Sequence, residues 1–123
     1  FEQPVYENRT EIWQTAIRAG LNAPLFGNGF GNREQALRSA AEQLDNNIQN
    51  QYVDSSHNIF LDMWVEGGIV GLGILMILLI RSFQYLVARE DDIKLMILLG
   101  IITALSFNPA SIVSLVQLWW LLK

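Results

Sequence analysis

The residues best suited to chemistry lie in one short polar segment, Ser55-Ser56-His57-Asn58, directly before a long apolar run. His57 is the single histidine of the chain, and an imidazole can act as a general base near neutral pH. Serine is a favoured N-cap, which predicts that His57 lies in the first turn of the following helix. The positive end of the helix dipole disfavours an imidazolium there and attracts anions. His57 is therefore a candidate general base; the alternative, a helix start with an interfacial, structural histidine, is the interpretation that these residues alone favour.

Two glycines follow on the same predicted helix face. At 100° per residue, Gly68 and Gly71 fall within about 40° of His57 on a helical wheel. Small residues allow two membrane helices to approach closely. The wheel predicts that Gly68 and Gly71 are helix-packing residues and that His57 faces the inside of a helix bundle.

Arginines in the preceding segment could bind phosphate, because a guanidinium group forms bidentate hydrogen bonds with it. Arg9 is the strongest candidate, since it lies one helical turn before Trp13 at the start of a predicted helix. The alternative, a solvated surface arginine, is the interpretation favoured for Arg18, Arg33 and Arg38. The glycine-rich run at residues 27–31 matches neither a P-loop nor a dinucleotide fingerprint, and it is read as a turn.

Composition restricts the class of protein. The net charge of −4 and the lack of a basic stripe argue against nucleic-acid binding. The chain has no cysteine and no second histidine, which excludes a disulfide framework and leaves no His or Cys metal-ligand pattern. We expect neither a metal nor a cofactor.

The distribution of apolar residues predicts an all-α integral membrane protein. Residues 1–57 are polar and mixed, whereas residues 59–122 form apolar runs interrupted by one charged patch at 89–94. Because the chain opens on Phe1, it is read as part of a longer polypeptide.

Two short helices are predicted in residues 1–57, which we interpret as an extracytoplasmic loop. The first begins at an Asn8–Glu11 capping box and ends at a Gly20 C-cap. The second is capped by Asn32 and runs over residues 33–44.

Residues 58–123 are predicted to form the membrane region, with helices over about 58–88, 93–107 and 110–123. In the first of them, Trp64 and Tyr85 are spaced by about 31 Å of helix, close to the thickness of a hydrocarbon core, and are read as interface anchors. The short patch at 89–94 is rich in Lys and Arg for its length, so the positive-inside rule places it in the cytoplasm and His57 outside.

Two motifs resemble those of one family, the O-antigen ligase and O-antigen polymerase superfamily. Its signature is similar to His57-Asn58, nine residues, Gly68, two residues and Gly71. The opening of its large periplasmic loop is similar to an earlier stretch of this chain: Asn8-Arg9, Trp13 and Pro24-Leu25-Phe26-Gly27-Asn28-Gly29.

This resemblance implies a fragment of a C-type membrane glycosyltransferase bundle in a bacterial inner membrane, with residues 1–57 in the periplasm. The family transfers a glycan from an undecaprenyl diphosphate carrier to an acceptor hydroxyl without a metal. His57 would then be the base or acceptor-orienting residue, and Arg9 and Asn58 would bind substrate. The implied partners are the lipid-linked donor, a glycan or lipid acceptor, membrane lipids and the remaining membrane helices.

Several alternatives stay open at this stage. The acceptor could be a lipid A–core sugar, another lipid-linked glycan or a protein hydroxyl. A different class of protein, a non-catalytic membrane subunit or a transporter fragment, would use His57 and Arg9 only structurally.

Overall fold

The computed structural model describes residues 9–45 and 55–107, together with positions 116, 117, 119 and 120. Its regular elements in these ranges are all helices, as the sequence predicts. They are α1 (Arg9–Asn22), α2 (Arg33–Leu44), α3 (Ile59–Ala88) and α4 (Asp92–Phe107). Most of the predicted helix at 110–123, and the Asn8 cap, lie outside the described residues; the four described positions at 116–120 are helical.

The two short helices pack on each other and on the first part of α3 through small side chains. Alanines dominate this core, so the helix backbones approach closely and Leu37 and Val65 fill the remaining space. The fully or almost fully buried members are Ala16, Ala19, Ala36, Leu37, Ala40 and Val65.

Helices α3 and α4 share a second, larger-residue core. Leu86 of α3 packs there with Leu98, Ile101 and Leu105 of α4. Ile59, from the beginning of α3, lies against the same cluster. α3 is long and apolar enough to cross a membrane, whereas α4 has 16 residues and is shorter than the roughly 20 needed for a full span.

α3 is not the continuous helix that the wheel assumed, because it breaks at Gly68. Gly68 has φ 60° and ψ −157°, a region of backbone conformation that only glycine adopts readily. The break separates the Val65 and Glu66 carbonyls from their usual helical donors, the N–H groups of Ile69 and Val70.

The turn between α1 and α2 supplies the missing partners. The turn lies in the break. Two of its N–H groups donate to the carbonyls that lost their helical donors, and two of its carbonyls accept from the N–H groups that lost their helical acceptors. The bonds are Asn28 N to Val65 O at 2.8 Å, Gly29 N to Glu66 O at 3.0 Å, Ile69 N to Pro24 O at 2.8 Å and Val70 N to Leu25 O at 3.2 Å. The break is therefore fully hydrogen-bonded, as buried backbone requires.

Because of the break, Gly68 and Gly71 have different neighbours from those that the helical wheel predicted. A Cβ at Gly68 would lie 2.6 Å from backbone atoms of Leu25 and Gly27, so Gly68 faces the turn. A Cβ at Gly71 would lie 3.6 Å from Met63 in the earlier part of α3. Within the described residues neither glycine meets a separate membrane helix, and packing against the rest of a longer chain stays a prediction.

Two further expectations need correction. Gly20 does not end α1, which continues to Asn22; instead a Cβ at Gly20 would overlap the Trp64 indole. Trp64 packs on α1 and donates from Nε1 to the Ile17 carbonyl at 3.4 Å. Because of this packing and the break, Trp64 and Tyr85 do not mark the ends of one straight span.

Replacing Gly68 by alanine should detach the turn from α3. The backbone conformation alone costs a non-glycine residue about 1–3 kcal/mol, and steric overlap with the turn adds about 1–3 kcal/mol. We expect a marked fall in the apparent melting temperature of the full-length protein in detergent. The matched control is Gly73→Ala, because among the described residues no heavy atom outside this part of α3 lies within 4 Å of a Cβ there, and alanine is favoured over glycine in a helix by about 0.5–1 kcal/mol. Equal melting temperatures for the two variants would contradict the role of the break.

Candidate functional site

A buried carboxylate organises the segment that carries His57. Asp62, in the first turn of α3, is 4% exposed. Its Oδ2 accepts a hydrogen bond from the Ser55 hydroxyl at 2.8 Å. Its Oδ1 accepts from the Ser56 N–H at 2.8 Å and from the Ser56 hydroxyl at 2.6 Å. Both serines, themselves buried, are therefore held to α3 by one side chain.

Arg33 of α2 neutralises this carboxylate. Its Nη1 lies 3.3 Å from Asp62 Oδ2 and 3.8 Å from Glu66 Oε2. Glu66 also accepts from the Gly31 N–H at 3.2 Å. The interpretation of Arg33 as a solvated surface arginine is wrong, because a buried carboxylate needs a compensating charge and Arg33 supplies it.

The other two arginines behave as expected for solvated residues. Arg18 donates to the Gln43 side chain at 3.1 Å on the exposed side of α1 and α2. Arg38 forms an exposed pair with Glu34 one turn away, at 3.7 Å.

His57 lies outside the helix, contrary to the prediction that serine caps α3. The N-cap is Asn58, whose side-chain oxygen accepts from the N–H groups of Phe60 at 2.9 Å and Leu61 at 3.3 Å. His57 precedes the cap with φ 56°, a left-handed conformation that is uncommon for non-glycine residues. Its N–H donates to the Ser55 hydroxyl oxygen at 3.1 Å, and the residue is half-buried.

Asp62 thus determines the position of His57 by binding Ser55 and Ser56, the two residues that precede the histidine. The Ser55 hydroxyl connects the carboxylate to the His57 backbone, and the Ser56 hydroxyl oxygen also accepts from the Asn58 N–H at 3.3 Å. A non-glycine residue keeps a left-handed conformation only where surrounding contacts hold it there, and such residues cluster at functional sites. These hydrogen bonds hold the backbone of the segment that carries the imidazole, just before the N-terminus of α3.

A hydrogen bond from α1 to the His57 segment places Arg9, the second candidate residue, at the same end of the structure. Trp13 Nε1 donates to the Ser56 carbonyl at 3.1 Å. Arg9, the first residue of α1, is one helical turn earlier, about 6 Å along the axis. Arg9 is exposed, so its guanidinium group is accessible to a ligand at the same end of α1 that contacts the His57 segment.

Asn58 has a structural duty in addition to any role with substrate. The α3 cap uses its amide oxygen, which leaves the amide nitrogen as the group that a substrate could meet. The glycine-rich run is the turn that the sequence predicts, and its Asn28 and Gly29 N–H groups are bonded to α3 rather than directed at an anion.

Asp62 was not among the candidate residues derived from the sequence, and Ser55 and Ser56 were interpreted only as a helix cap beside His57. The available signal was the pair of acidic residues, Asp62 and Glu66, inside the first turns of an apolar helix. A charge in that position needs a partner, and the nearby polar segments could have been searched for one.

The described chain is thus a helical protein with a helix long enough to span a membrane and a histidine, bonded through its backbone to Ser55, just before the N-terminus of that helix. The chain belongs to the O-antigen ligase family, a family of membrane proteins whose model matches residues 4–76. The matched range contains α1, α2, the turn, the His57 segment and the break in α3. The resemblance noted from the two motifs is confirmed.

Two curated proteins show the same similarity. The exopolysaccharide production protein ExoQ of Rhizobium meliloti is 31% identical over 76% of this chain and 23% of its own length. An uncharacterized protein of Haemophilus influenzae is 26% identical over 80% of this chain and 26% of its own. The chain therefore spans about a quarter of the length of these relatives. No solved structure matches.

Proposed function

We propose that the full-length protein transfers a glycan from an undecaprenyl diphosphate carrier to an acceptor hydroxyl during assembly of a cell-surface polysaccharide. Membership of the O-antigen ligase family supports the reaction class. The similarity to a protein of exopolysaccharide production supports polysaccharide assembly. Membership of the family supports a location in the bacterial inner membrane, and the distribution of Lys and Arg favours residues 1–57 on its outer side.

In this proposal His57 acts as the base and Arg9 binds the leaving group. The imidazole takes the proton of the acceptor hydroxyl while that oxygen attacks the anomeric carbon of the donor glycan. The bond between that carbon and the carrier phosphate breaks, and its electron pair leaves with the diphosphate. A guanidinium fork at Arg9 stabilises the charge that develops on the diphosphate.

The observation that carries the proposal is the clamp formed by Asp62, Ser55 and Ser56. It holds a histidine in a left-handed conformation, and left-handed residues that are held by their surroundings cluster at functional sites. The clamp also accepts a hydrogen bond from Trp13 of α1, the helix that begins at Arg9, so the segments that carry His57 and Arg9 are joined directly.

The acceptor distinguishes a ligase from a polymerase. We propose these two as the alternatives, with transfer to a protein hydroxyl as a third. The experiment is to give the full-length protein in proteoliposomes a labelled lipid-linked glycan together with one acceptor at a time: lipid A–core, a second lipid-linked glycan, or a protein. A labelled lipid A–core product identifies a ligase, and a ladder of longer lipid-linked chains identifies a polymerase. No product with any acceptor, from protein that is folded and binds donor, would contradict the proposed reaction.

Arg9→Ala should weaken binding of the lipid-diphosphate donor, and Arg9→Lys should restore it only partly. Lysine supplies a point charge in place of the planar fork that matches phosphate oxygens. The measurement is donor concentration dependence of transfer, with Arg38→Ala as the control because Arg38 makes only an exposed pair with Glu34. Identical donor dependence for Arg9→Ala and Arg38→Ala would remove Arg9 from the site.

A further inference from the structure

The turn between α1 and α2 exposes three large apolar side chains. Leu25 is 62% exposed, Phe26 75% and Phe30 71%. No charged residue occurs between Arg18 and Arg33. Large apolar side chains that are exposed together on one turn indicate a contact with protein or membrane.

The level of the turn along α3 coincides with one end of the apolar span. Its Pro24 and Leu25 carbonyls accept from Ile69 and Val70. The twenty residues from Ile69 to Ala88 extend about 30 Å, which is the thickness of a hydrocarbon core. The charged residues of α3 near this end, Asp62 and Glu66, precede the turn and are paired with Arg33.

The exposed surface of the turn continues onto the exposed face of α3. Ile69 and Val70, bonded to the turn, are themselves exposed, and Ile74 and Ile77 extend the same apolar character further along the helix. Within the described residues, no charged residue separates the exposed surface of the turn from the apolar face of α3. We therefore expect lipid to surround both surfaces if α3 spans the membrane.

The backbone of the turn is suited to a dry environment. Unsatisfied peptide groups are costly in lipid, but here the carbonyls of Pro24 and Leu25 and the N–H groups of Asn28 and Gly29 are bonded to α3. The Asn28 side-chain amide donates to the Ala19 and Val65 carbonyls at 3.0 Å and 2.9 Å. These polar groups face the helices, whereas the side chains of Leu25, Phe26 and Phe30 are exposed.

We propose that this turn is a membrane-contacting wedge, in which Leu25, Phe26 and Phe30 insert into the boundary between lipid headgroups and acyl chains. Phe and Leu side chains on the apolar face of an interfacial segment lie at that depth, and their burial there binds the segment to the surface. The wedge would hold α1, α2 and the His57 segment at a constant height above the bilayer.

Spin labels at single cysteines test the depth of the turn in the full-length protein, reconstituted in phosphatidylethanolamine–phosphatidylglycerol vesicles. Residues 1–123 contain no cysteine, and any elsewhere in the chain would be replaced. The test positions are Phe26 and Phe30. The controls are Arg38 and Ser39, exposed residues of α2. Collision rates are measured with oxygen, which concentrates in lipid, and with a polar nickel complex, which stays in water.

We expect labels at Phe26→Cys and Phe30→Cys to collide more with oxygen than with nickel, and labels at Arg38→Cys and Ser39→Cys to show the reverse. Two results would overturn the proposal. Nickel accessibility at Phe26 equal to that at Arg38 would place the turn in water. Protection of Phe26 and Phe30 from both reagents would show that another part of the full-length protein covers the turn instead of lipid.

Discussion

Replacing His57 by asparagine is expected to lower glycan transfer by the full-length protein about 10²–10⁴-fold, the usual contribution of a general base. The base acts on the acceptor proton, so binding of the lipid-diphosphate donor should be nearly unchanged. Asparagine is the informative substitution because it tolerates the left-handed conformation of His57, which keeps the Ser55–Asn58 segment in place. Transfer is measured per folded molecule, with donor binding measured separately.

The control separates the loss of an imidazole from the cost of a left-handed residue. Asp45, at the end of α2, has φ 48° and no proposed role in the site. His57→Ala and Asp45→Ala therefore both place alanine in a left-handed conformation, and only the first should lose transfer. Near-normal turnover per folded molecule in His57→Asn would reject the catalytic assignment and leave His57 with a structural role.

Replacing Asp62 by alanine is expected to produce a large loss of stability together with a loss of transfer. It would leave Arg33 without its nearest carboxylate and remove the acceptor of the Ser55 and Ser56 hydroxyls. Breaking a buried pair by removing one partner costs about 3–5 kcal/mol; Arg33 is 29% exposed, so solvent reduces this cost. We expect a large fall in the melting temperature of the full-length protein, and loss of transfer even in the fraction that remains folded.

Two variants calibrate this result. Asp62→Asn keeps an oxygen that can accept from the serines, so it should lose less stability than Asp62→Ala. Glu34→Ala breaks a pair whose side chains are 59% and 44% exposed, and such pairs contribute about 0–1 kcal/mol. If Asp62→Ala were no more destabilising than Glu34→Ala, the clamp would not support the site.

The helices could be predicted because their signals are local. The predicted ranges 33–44 and about 58–88 agree with α2 and α3, since the helical spacing and continuous apolar character lie within each segment. Asn32 stands at the N-cap of α2 as predicted, but its side chain makes no cap hydrogen bond. The predicted second membrane helix at 93–107 begins one residue later than α4. The break at Gly68 could not be predicted from α3 alone, because its stabilising partners, Pro24 to Gly29, are some forty residues earlier in the chain.

The candidate site could be predicted only in part, because some of its residues are recognised by local sequence and others only by partners that are distant in the chain. Arg9, His57 and Asn58 were selected by residue type and by resemblance, and their roles with substrate stay predictions. Arg33 was misjudged because its partner Asp62 belongs to a different helix. The wheel also placed His57 within α3, whereas side-chain capping by Asn58 begins the helix after it.

Sequence alone determined the helical class, the apolar span and the family, since these depend on composition, periodicity and motif spacing along one stretch of chain. Tertiary structure decided that Gly68 opens α3 to receive the turn, that Asp62 and Arg33 form a buried pair, and that His57 stands before the cap in a left-handed conformation. Each of these depends on hydrogen bonds or charge pairing within folded surroundings. The sequence periodicity of a helix records which face is apolar, but it does not record which distant polar group will meet a buried carboxylate or an exposed carbonyl.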